Sequence, residues 1–509
     1  MHWADKIAQE IIASGKFKPY WADDMKTPSG FAHIGSMLGP VIHSAIYRAL
    51  KDAGQEVTLT YVFNDFDTID EIHEHAGKVL KTIPSPETGF ENLGDYLADD
   101  LKKSIEYLGF EAKYISSWDL YHRGLFDGVI RLALDNSEKI QDIYQKVSGS
   151  AKKEAGWLPF QVICEKCGKL GTTKVFAWDG EKVSYKCEPN LVDWAKGCGH
   201  EGKVSPFGGT GKLPWKVDWA AHWKVIGVTI EGAGKDHASA GGSYDIAMTI
   251  CREVFKYPEP FKIPYEFILI GGKKMSSSKG VGLKAHDLVK ILPAEVARFL
   301  FVSADIGSQS NFDPEGTMAI PDLFDAYDKA REAYNENGNE DLSRTFVLSQ
   351  IKNVPEKEKG FVAPRFRDIA NYLSQGFSEK EVIEKMSQKN IGEVEGRIKF
   401  AKVWLENYAP DDYKFEMTKE IPDDAKKLST DQKEYLGEVA KLFDKEINAE
   451  SLQVSLYNLS KQIKINSKDA FAAIYLAFIG KTHGPRAGLL LFNIGKDKVL
   501  KRLKEVIIL

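Results

Sequence analysis

Two segments of the sequence combine glycines with side chains that can hold phosphate groups. Residues 27–36 read TPSGFAHIGS, and residues 271–280 read GGKKMSSSKG. In the first segment the glycines permit a close backbone approach, and His33 can donate a hydrogen bond to a phosphate oxygen whose charge grows during displacement. In the second, lysines and hydroxyls suit a clamp on a polyphosphate. Taken singly, each also fits a plainer interpretation, a structural histidine in a turn or a solvated basic loop.

Four of the five cysteines lie at spacings that suit a metal ion. Cys164 and Cys167 form a C-x2-C pair, and Cys187 and Cys198 follow, with His200 two residues further on. Soft ligands flanked by glycines are typical of tetrahedral structural zinc. The first pair is a regular half-site and the second is irregular, so either Cys198 or His200 completes the set. We expect the fifth cysteine to lie in the core.

The elements around these segments alternate between strand and helix. Residues 17–23 predict a strand before the first phosphate segment, and apolar residues at helical spacing predict a helix from Ser36 to Leu50. Such alternation indicates a parallel α/β sheet with helices on both faces. The further predicted strands are 57–63, 112–116, 225–230 and 265–270, and the further helices are 93–108 and 244–255.

The pattern divides the chain into an α/β front, a cysteine-bearing insertion and a helical rear. From about residue 321 to the end, strand-like segments are almost absent. The predicted divisions are the first half of the α/β domain (1–150), the insertion (151–212), the second half of the α/β domain (213–285), a helical junction (286–330) and an all-helical region (331–509).

The composition excludes several classes of protein. Hydrophobic residues make up 43% and charged residues 28% of the 509 residues, values typical of globular chains rather than disordered ones. Five cysteines exclude a disulfide scaffold, and no apolar run reaches the roughly 18 residues of a membrane span. We therefore expect a cytoplasmic protein without a membrane partner. The net charge of −5 leaves nucleic acid open as a ligand, because phosphate contacts need only a local basic patch.

Together, the two phosphate segments resemble the HIGH and KMSKS signature motifs of class I aminoacyl-tRNA synthetases. Residues 234–237 (GKDH) resemble a third motif of that class, which contacts the ATP ribose and the amino acid. Further segments are similar to archaeal-type class I lysyl-tRNA synthetases, and the resemblance covers nearly the whole chain. These segments are LPWKVDW at 213–219, AGGSY at 240–244, IPYE at 263–266 and GKTHGPRAG at 480–488.

The resemblance implies a fold, a reaction and a set of ligands. The fold would be a Rossmann-type (HUP-like) catalytic domain with a zinc-ribbon-like insertion, followed by an all-α anticodon-binding domain. The reaction would join L-lysine to tRNA(Lys) through a lysyl-adenylate, with ATP consumed and Mg²⁺ bound as a cofactor. The insertion would hold a structural Zn²⁺ ion. No residue can be named as a Mg²⁺ ligand. We expect a monomer.

The resemblance also assigns residues to the ATP site. His33, Lys274 and Lys279 would be the catalytic cations and donors. Two positions depart from the family motifs: Ser36 stands for the second histidine of HIGH, and Ser277 for the central lysine of KMSKS. The ATP-binding set comprises Pro28, Gly30, His33, Gly35, Ser36, Asp236, Lys274, Met275, Ser276, Ser277 and Ser278.

A lysine pocket must neutralise an ammonium and cover four methylene groups. An aromatic wall with one acidic group meets both needs. By resemblance, Thr27, Trp215, His237 and Tyr265 would line this pocket. Asp65 or Asp67, just beyond the second strand, would supply the acid, because ligands bind at that edge of α/β sheets. Alternatively, the aromatic residues belong to the core and the two aspartates cap a helix.

By resemblance, the helical rear would bind the tRNA anticodon, which calls for basic and aromatic side chains. Two other functions remain open. One is a class I synthetase for another amino acid such as glutamate, whose pocket would need an arginine. The other is a catalytically silent tRNA-binding protein, which the two serine departures permit. Candidate tRNA contacts are Arg365, Arg367, Lys481, His483 and Arg486.

Overall fold

The structure is a computed structural model that describes residues 1–70, 74–150, 156–272, 283–386, 390–413, 415, 417–443 and 448–508. The chain divides into two compact units, each discontinuous in sequence. The first comprises Met1–Asp313 and Lys329–Lys359, and the second comprises Pro314–Asp328 and Gly360–Leu509.

Strands occur in the first unit and helices in both. The strands are β1 (Tyr20–Lys26), β2 (Val57–Phe63), β3 (Lys113–Ser116), β4 (Gln161–Val162), β5 (Thr173–Trp178), β6 (Val183–Cys187), β7 (Glu201–Val204), β8 (Gly211–Lys212), β9 (Ile230–Gly234), β10 (Phe261–Tyr265), β11 (Ile268–Leu269) and β12 (Ser310–Asn311). The helices are α1 (Trp3–Ser14), α2 (Leu38–Asp52), α3 (Leu93–Tyr107), α4 (Ser117–His122), α5 (Asp127–Asp135), α6 (Ser137–Ser148), α7 (Trp215–Ile226), α8 (Lys235–Ala238), α9 (Ser243–Glu253), α10 (Leu288–Ile291), α11 (Ala294–Val302), α12 (Ala319–Asn335), α13 (Glu340–Ser349), α14 (Phe366–Ser374), α15 (Glu379–Lys385), α16 (Ile391–Asn407), α17 (Thr430–Leu442), α18 (Ala449–Gln462), α19 (Ser467–Ile479), α20 (Ala487–Ile494) and α21 (Lys496–Ile508).

The centre of the first unit is a five-stranded parallel sheet in the order β10-β9-β1-β2-β3. Strand order runs outward in both directions from β1, so the connections reverse between β1 and β9. In sheets of this kind ligands bind outside the carboxyl ends of the strands at the reversal. The predicted parallel α/β architecture is confirmed, and the sheet places its expected binding edge after β1 and β9.

Helix α2 follows the first phosphate segment because an apolar stripe recurs at helical spacing. Val41, Ile42, Ala45 and Ile46 are fully buried, and the helix packs against β1, β2 and β9. A 3₁₀ turn, Ile34–Met37, precedes it. This packing fixes the start of α2 at the carboxyl edge of the sheet.

One predicted strand, 225–230, is wrong in its position. Helix α7 continues to Ile226, Gly227 ends it with a left-handed φ of 95°, and the strand begins at Ile230. A short apolar run has no period that separates a buried helical turn from a buried strand. The predicted strand 265–270 contains the short strand β11, Ile268–Leu269, and the last residue of β10, Tyr265, so it is confirmed only in part.

The cysteine-bearing insertion forms small antiparallel sheets. Strands β5, β6 and β7 make a three-stranded sheet, and β4 pairs with β8. Their buried side chains, among them Val175, Val183 and Tyr185, join the hydrophobic core of the first unit. The insertion is therefore packed into the α/β domain rather than tethered to it.

Residues 329–359 lie in the first unit, although the sequence divides the chain at 331. The buried guanidinium of Arg298 explains this. It donates to the carbonyl oxygens of Leu348 (2.7 Å) and Leu108 (2.8 Å) and to Ser44 Oγ (3.0 Å). A buried arginine needs its donors satisfied, so α13 is held against the α/β core.

Helices of the second unit enclose a separate core, which includes Tyr435, Leu456, Phe478 and Leu503. Arg502 of α21 donates to the carbonyl oxygen of Ala477 at 3.1 Å. Within the residues described, no helix is both long and apolar enough to cross a membrane.

Candidate active site

A cavity of about 280 Å³ opens at the reversal point of the parallel sheet. Its walls come from the ends of β1, β9 and β10, from the 3₁₀ turn before α2 and from α8. Six residues predicted from the sequence line it together: His33, Gly35, Ser36, Asp236, His237 and Tyr265. The structure thus joins parts of the predicted ATP and lysine sites in one space.

The first phosphate segment lies against residues 283–285, which follow the second segment in the chain. Ile34 N donates to Leu283 O at 2.8 Å, and Ala285 N donates to Ala32 O at 2.7 Å. Ser36 Oγ lies 3.5 Å from His33 Nδ1. These bonds hold residues 283–285 beside the residues that line the cavity. Residues 273–282 fall outside the described part of the chain, and with them Lys274, Met275, Ser276, Ser277, Ser278 and Lys279.

Three predicted residues of the first segment do not line the cavity. Thr27, Pro28 and Gly30 occupy the loop between β1 and the 3₁₀ turn. Thr27 Oγ1 donates to Asp67 Oδ2 at 2.8 Å, and Lys212 Nζ lies 3.3 Å from Asp67 Oδ1. Thr27 and Asp67 therefore belong to a polar cluster beside the cavity.

Asp65, the other predicted acidic partner, is buried and engaged by protein groups. Its carboxylate accepts hydrogen bonds from Ser116 Oγ (2.7 Å) and from Trp118 N (2.8 Å), which ties the end of β2 to the start of α4. Burial raises the pKa of Asp65 despite these bonds. Asp65 thus caps the start of α4 and does not line the cavity.

Trp215 adjoins the cavity through His237. Its ring stacks on Trp219 with a centroid distance of 4.8 Å and lies 5.4 Å from the His237 ring. The indole of Trp215 is 40% exposed and lines a larger groove of about 810 Å³ between the insertion and α6. Trp215 is thus a surface aromatic residue next to the cavity rather than a core residue.

Asp24, Lys26 and Tyr61 line the cavity, and sequence reasoning did not select them. Burial raises the pKa of Asp24 and lowers that of Lys26, because each charge is costly away from water. The available signal was their position: Asp24 and Lys26 sit at the carboxyl end of the strand that leads into the first phosphate segment.

The four cysteine sulfurs of the insertion lie within 4.8 Å of one another. Cys164 Sγ is 3.6 Å from Cys198 Sγ, and Cys167 Sγ is 3.7 Å from Cys187 Sγ. Four thiolates 2.3 Å from one zinc ion would be about 3.8 Å apart in a tetrahedron, so the cluster fits zinc. His200 directs Nε2 towards Glu165, at 3.9 Å, and is not part of the cluster.

The candidate tRNA contacts lie in the second unit, and several pair with protein groups. Arg365 and Arg367 both form ion pairs with Asp325, and Arg486 forms one with Glu381. Their charges are therefore partly neutralised. The remaining two, Lys481 and His483, lie near the ring of Phe415, at 5.0 Å and 6.4 Å respectively.

The parallel sheet, its reversal point and the glycine-bearing turn at the cavity define an α/β domain of the Rossmann type. Comparison with protein families narrows this class. Residues 1–352 match the family described as tRNA synthetases class I (K), and residues 367–507 match the anticodon binding domain. The chain belongs to this family of class I tRNA synthetases.

Relatives align with the chain from end to end. A lysine–tRNA ligase of Archaeoglobus fulgidus is 33% identical over 522 residues, with 100% of each chain covered. One from Methanocaldococcus jannaschii is 34% identical, with 99% of each covered. One from Thermoplasma acidophilum is 32% identical, covering 100% of this chain and 99% of its own.

Proposed function

We propose that this chain ligates L-lysine to tRNA(Lys) through a lysyl-adenylate. The lysine carboxylate attacks the α-phosphate of ATP and pyrophosphate leaves. The terminal ribose hydroxyl of the tRNA then attacks the lysyl carbonyl and AMP leaves. Similarity to lysine–tRNA ligases over the full chain carries this proposal. Neither a silent tRNA-binding protein nor a glutamate enzyme has comparable support.

The ATP would bind beside the first phosphate segment, in the cavity that its residues line. Backbone and side chains at His33, Gly35 and Ser36 line the cavity just before α2, whose first amides carry a partial positive charge. Asp236, at the start of α8, would accept a hydrogen bond from the ribose. Lys274 and Lys279 would neutralise the departing pyrophosphate. The reaction needs positioning and charge stabilisation and no protein nucleophile.

The lysine substrate would occupy the part of the cavity nearer β10. Tyr265 and His237 line it, and Trp215 backs His237. Aromatic walls cover methylene groups and attract a cation. Thr27 and Asp67 would shape the adjacent loop.

Family membership implies ATP with Mg²⁺ as the metal of the reaction, and ATP oxygens would supply much of its coordination. A separate zinc ion fits the cluster of Cys164, Cys167, Cys187 and Cys198. Such a site, closed by four sulfurs, would be structural, linking the ends of the insertion. The second unit would bind the anticodon region, and we expect the enzyme to act as a cytoplasmic monomer.

The direct test is charging of total tRNA with each labelled amino acid in turn, in the presence of ATP and magnesium. We expect esterification of lysine alone. Charging with glutamate or another amino acid would overturn lysine as the assigned substrate but would support the proposed class of reaction. Binding of tRNA without any charging would overturn the reaction itself.

A further inference from the structure

A lysine-specific cavity needs a carboxylate for the side-chain ammonium, and neither predicted acid lines the cavity. Asp65 is engaged by Ser116 and Trp118, and Asp67 by Thr27 and Lys212. Within the part of the chain that the structure describes, another acid must take the role if the proposed function is correct.

Asp24 lies at the carboxyl end of β1, directly on this cavity. Its Oδ1 accepts a hydrogen bond from Met25 N at 2.9 Å. Its Oδ2 accepts none among the described residues and lies 3.8 Å from His43 Nδ1. The side chain is only 11% exposed, and that exposure is to the cavity. One oxygen is thus available to a ligand.

No described lysine or arginine forms an ion pair with this oxygen, although the charge of Lys26 acts on the Asp24 carboxylate from a greater distance. His43 Nε2 accepts a hydrogen bond from Gly232 N at 2.7 Å, while Nδ1 donates to Gly39 O at 2.8 Å. An imidazole that accepts at one nitrogen and donates at the other carries no charge. Lys26 lines the same cavity but forms no ion pair with Asp24 within the described contacts. A buried carboxylate without an ion-pair partner would be stabilised by a cation that a ligand supplies.

The surroundings of Asp24 suit an alkyl ammonium. Tyr61 stands opposite Asp24 in the sheet register. A Cβ atom at Gly39 would lie 2.9 Å from Asp24 Oδ2 and 3.0 Å from the Tyr265 hydroxyl. The carboxylate and this hydroxyl therefore both border the space beside Gly39. Aromatic rings with a carboxylate attract an ammonium and cover its carbon chain.

Two other acids near the cavity are less suited. Glu266 is paired with Lys235 at 2.7 Å. Asp236 lies in the first turn of α8, on the side proposed for the ribose. Of these three acids, Asp24 is therefore the best placed to bind the ammonium group of the lysine side chain.

We propose that Asp24 binds the ε-ammonium of lysine and selects lysine over uncharged amino acids. This assignment rests on the proposed function. The absence of a side chain at Gly39 leaves the carboxylate facing the cavity, and Tyr61 and Tyr265 enclose the ammonium beside it.

The test compares lysine with norleucine, which has the same four side-chain carbons and no ammonium. Charging of tRNA(Lys) by the full chain is measured as kcat/KM for both. We expect Asp24→Asn to lower the lysine-to-norleucine ratio at least ~100-fold, because a site built for a polar group rejects ligands lacking it. The KM for ATP should stay within about threefold. Asp23→Asn is the matched control: Asp23 precedes Asp24 on β1 and points to the opposite face, so the ratio should not change.

An equal loss for both amino acids in Asp24→Asn would overturn the assignment, because it would mean α-amino binding or a structural role. An unchanged ratio would overturn it as well. In either case the proposed function would still stand, provided that the unaltered chain charges tRNA(Lys) with lysine. Failure of the unaltered chain to charge lysine would overturn both.

A second variant covers the case in which Asp24→Asn does not fold. Gly39→Ala keeps every charge but places a methyl group against Asp24 and Tyr265. We expect the KM for lysine to rise at least ~10-fold with little change for ATP. Gly128→Ala is the control, because a Cβ atom there meets nothing within 4 Å. Equal KM values for lysine in the two variants would count against the assignment.

Discussion

His43 joins helix α2 to strand β9: its Nε2 accepts a hydrogen bond from Gly232 N at 2.7 Å. The same ring donates to Gly39 O at 2.8 Å, one turn back in the helix. The histidine is fully buried. It therefore couples the helix behind the first phosphate segment to the strand on the other side of the reversal point.

Replacing His43 should destabilise the first unit. His43→Phe keeps an aromatic ring but leaves the buried N–H of Gly232 unpaired, at a cost of about 1–3 kcal/mol, whereas Gly39 O keeps its helical partner. We therefore expect a loss of about 1–3 kcal/mol in the free energy of unfolding. Tryptophan fluorescence during denaturation measures it, since nine of the ten tryptophans lie in this unit. His122→Phe, at an exposed site, should change stability little, and equal losses would contradict the role of His43.

Removing the proposed phosphate-binding side chains should slow catalysis without unfolding the chain. His33→Ala and Lys274→Ala would each remove a group that we propose stabilises developing phosphate charge, and such a loss typically costs ~10²–10³ in turnover. Steady-state charging with lysine measures the effect. Lys290→Ala, an exposed lysine just beyond the loop, serves as the control. Wild-type rates in both active-site variants would remove these motifs from the mechanism.

The cysteine cluster should hold one zinc ion per chain. Metal analysis of the purified protein should give this ratio, and Cys198→Ser should lower it, because one of four sulfurs is lost. Cys251→Ser and His200→Ala should both retain zinc, since neither residue belongs to the cluster. Retention of zinc in Cys198→Ser together with loss in His200→Ala would reverse the ligand assignment.

Asp23 should make the stability of the first unit depend on pH. Burial, reinforced by the neighbouring charge of Asp24, raises the pKa of Asp23 from 3.8 to about 8. Between these values the folded chain holds a proton that the unfolded chain has released, so stability falls as pH rises. The buried Glu231 also has a raised pKa and acts in the same direction.

The measurement is the thermal midpoint between pH 5 and pH 8.5. We expect Asp23→Asn to show a shallower decline than the unaltered chain, because asparagine mimics the protonated acid. Asp70→Asn, at an exposed site, should follow the unaltered curve. Identical slopes in all three proteins would show that Asp23 does not titrate in this range.

Features encoded within short stretches were predictable from the sequence. The strand Val57–Phe63 and the grouping of Cys164, Cys167, Cys187 and Cys198 depend on local residue type and spacing, and the structure has both. His33 and His237 were selected by motif and line the cavity. The role of Asp24 was not predictable, since it depends on strand register and on the missing side chain at Gly39. Asp65 had the right residue type at a sheet edge, but its oxygens are used to cap α4.

The contacts of Arg298 have a consequence for biosynthesis. The guanidinium donates hydrogen bonds to the carbonyl oxygens of Leu108 and Leu348, which lie 240 residues apart in the chain. A nascent polypeptide that has emerged only as far as α12 already contains the whole active site but still lacks the carbonyl group at Leu348. The first unit can therefore complete its hydrogen bonds to Arg298 only late in translation, after the ribosome has begun to synthesise the helices of the second unit. A chain truncated at residue 313 or 330 would carry a buried arginine with one carbonyl acceptor missing, which makes residue 359 the natural place to divide the protein.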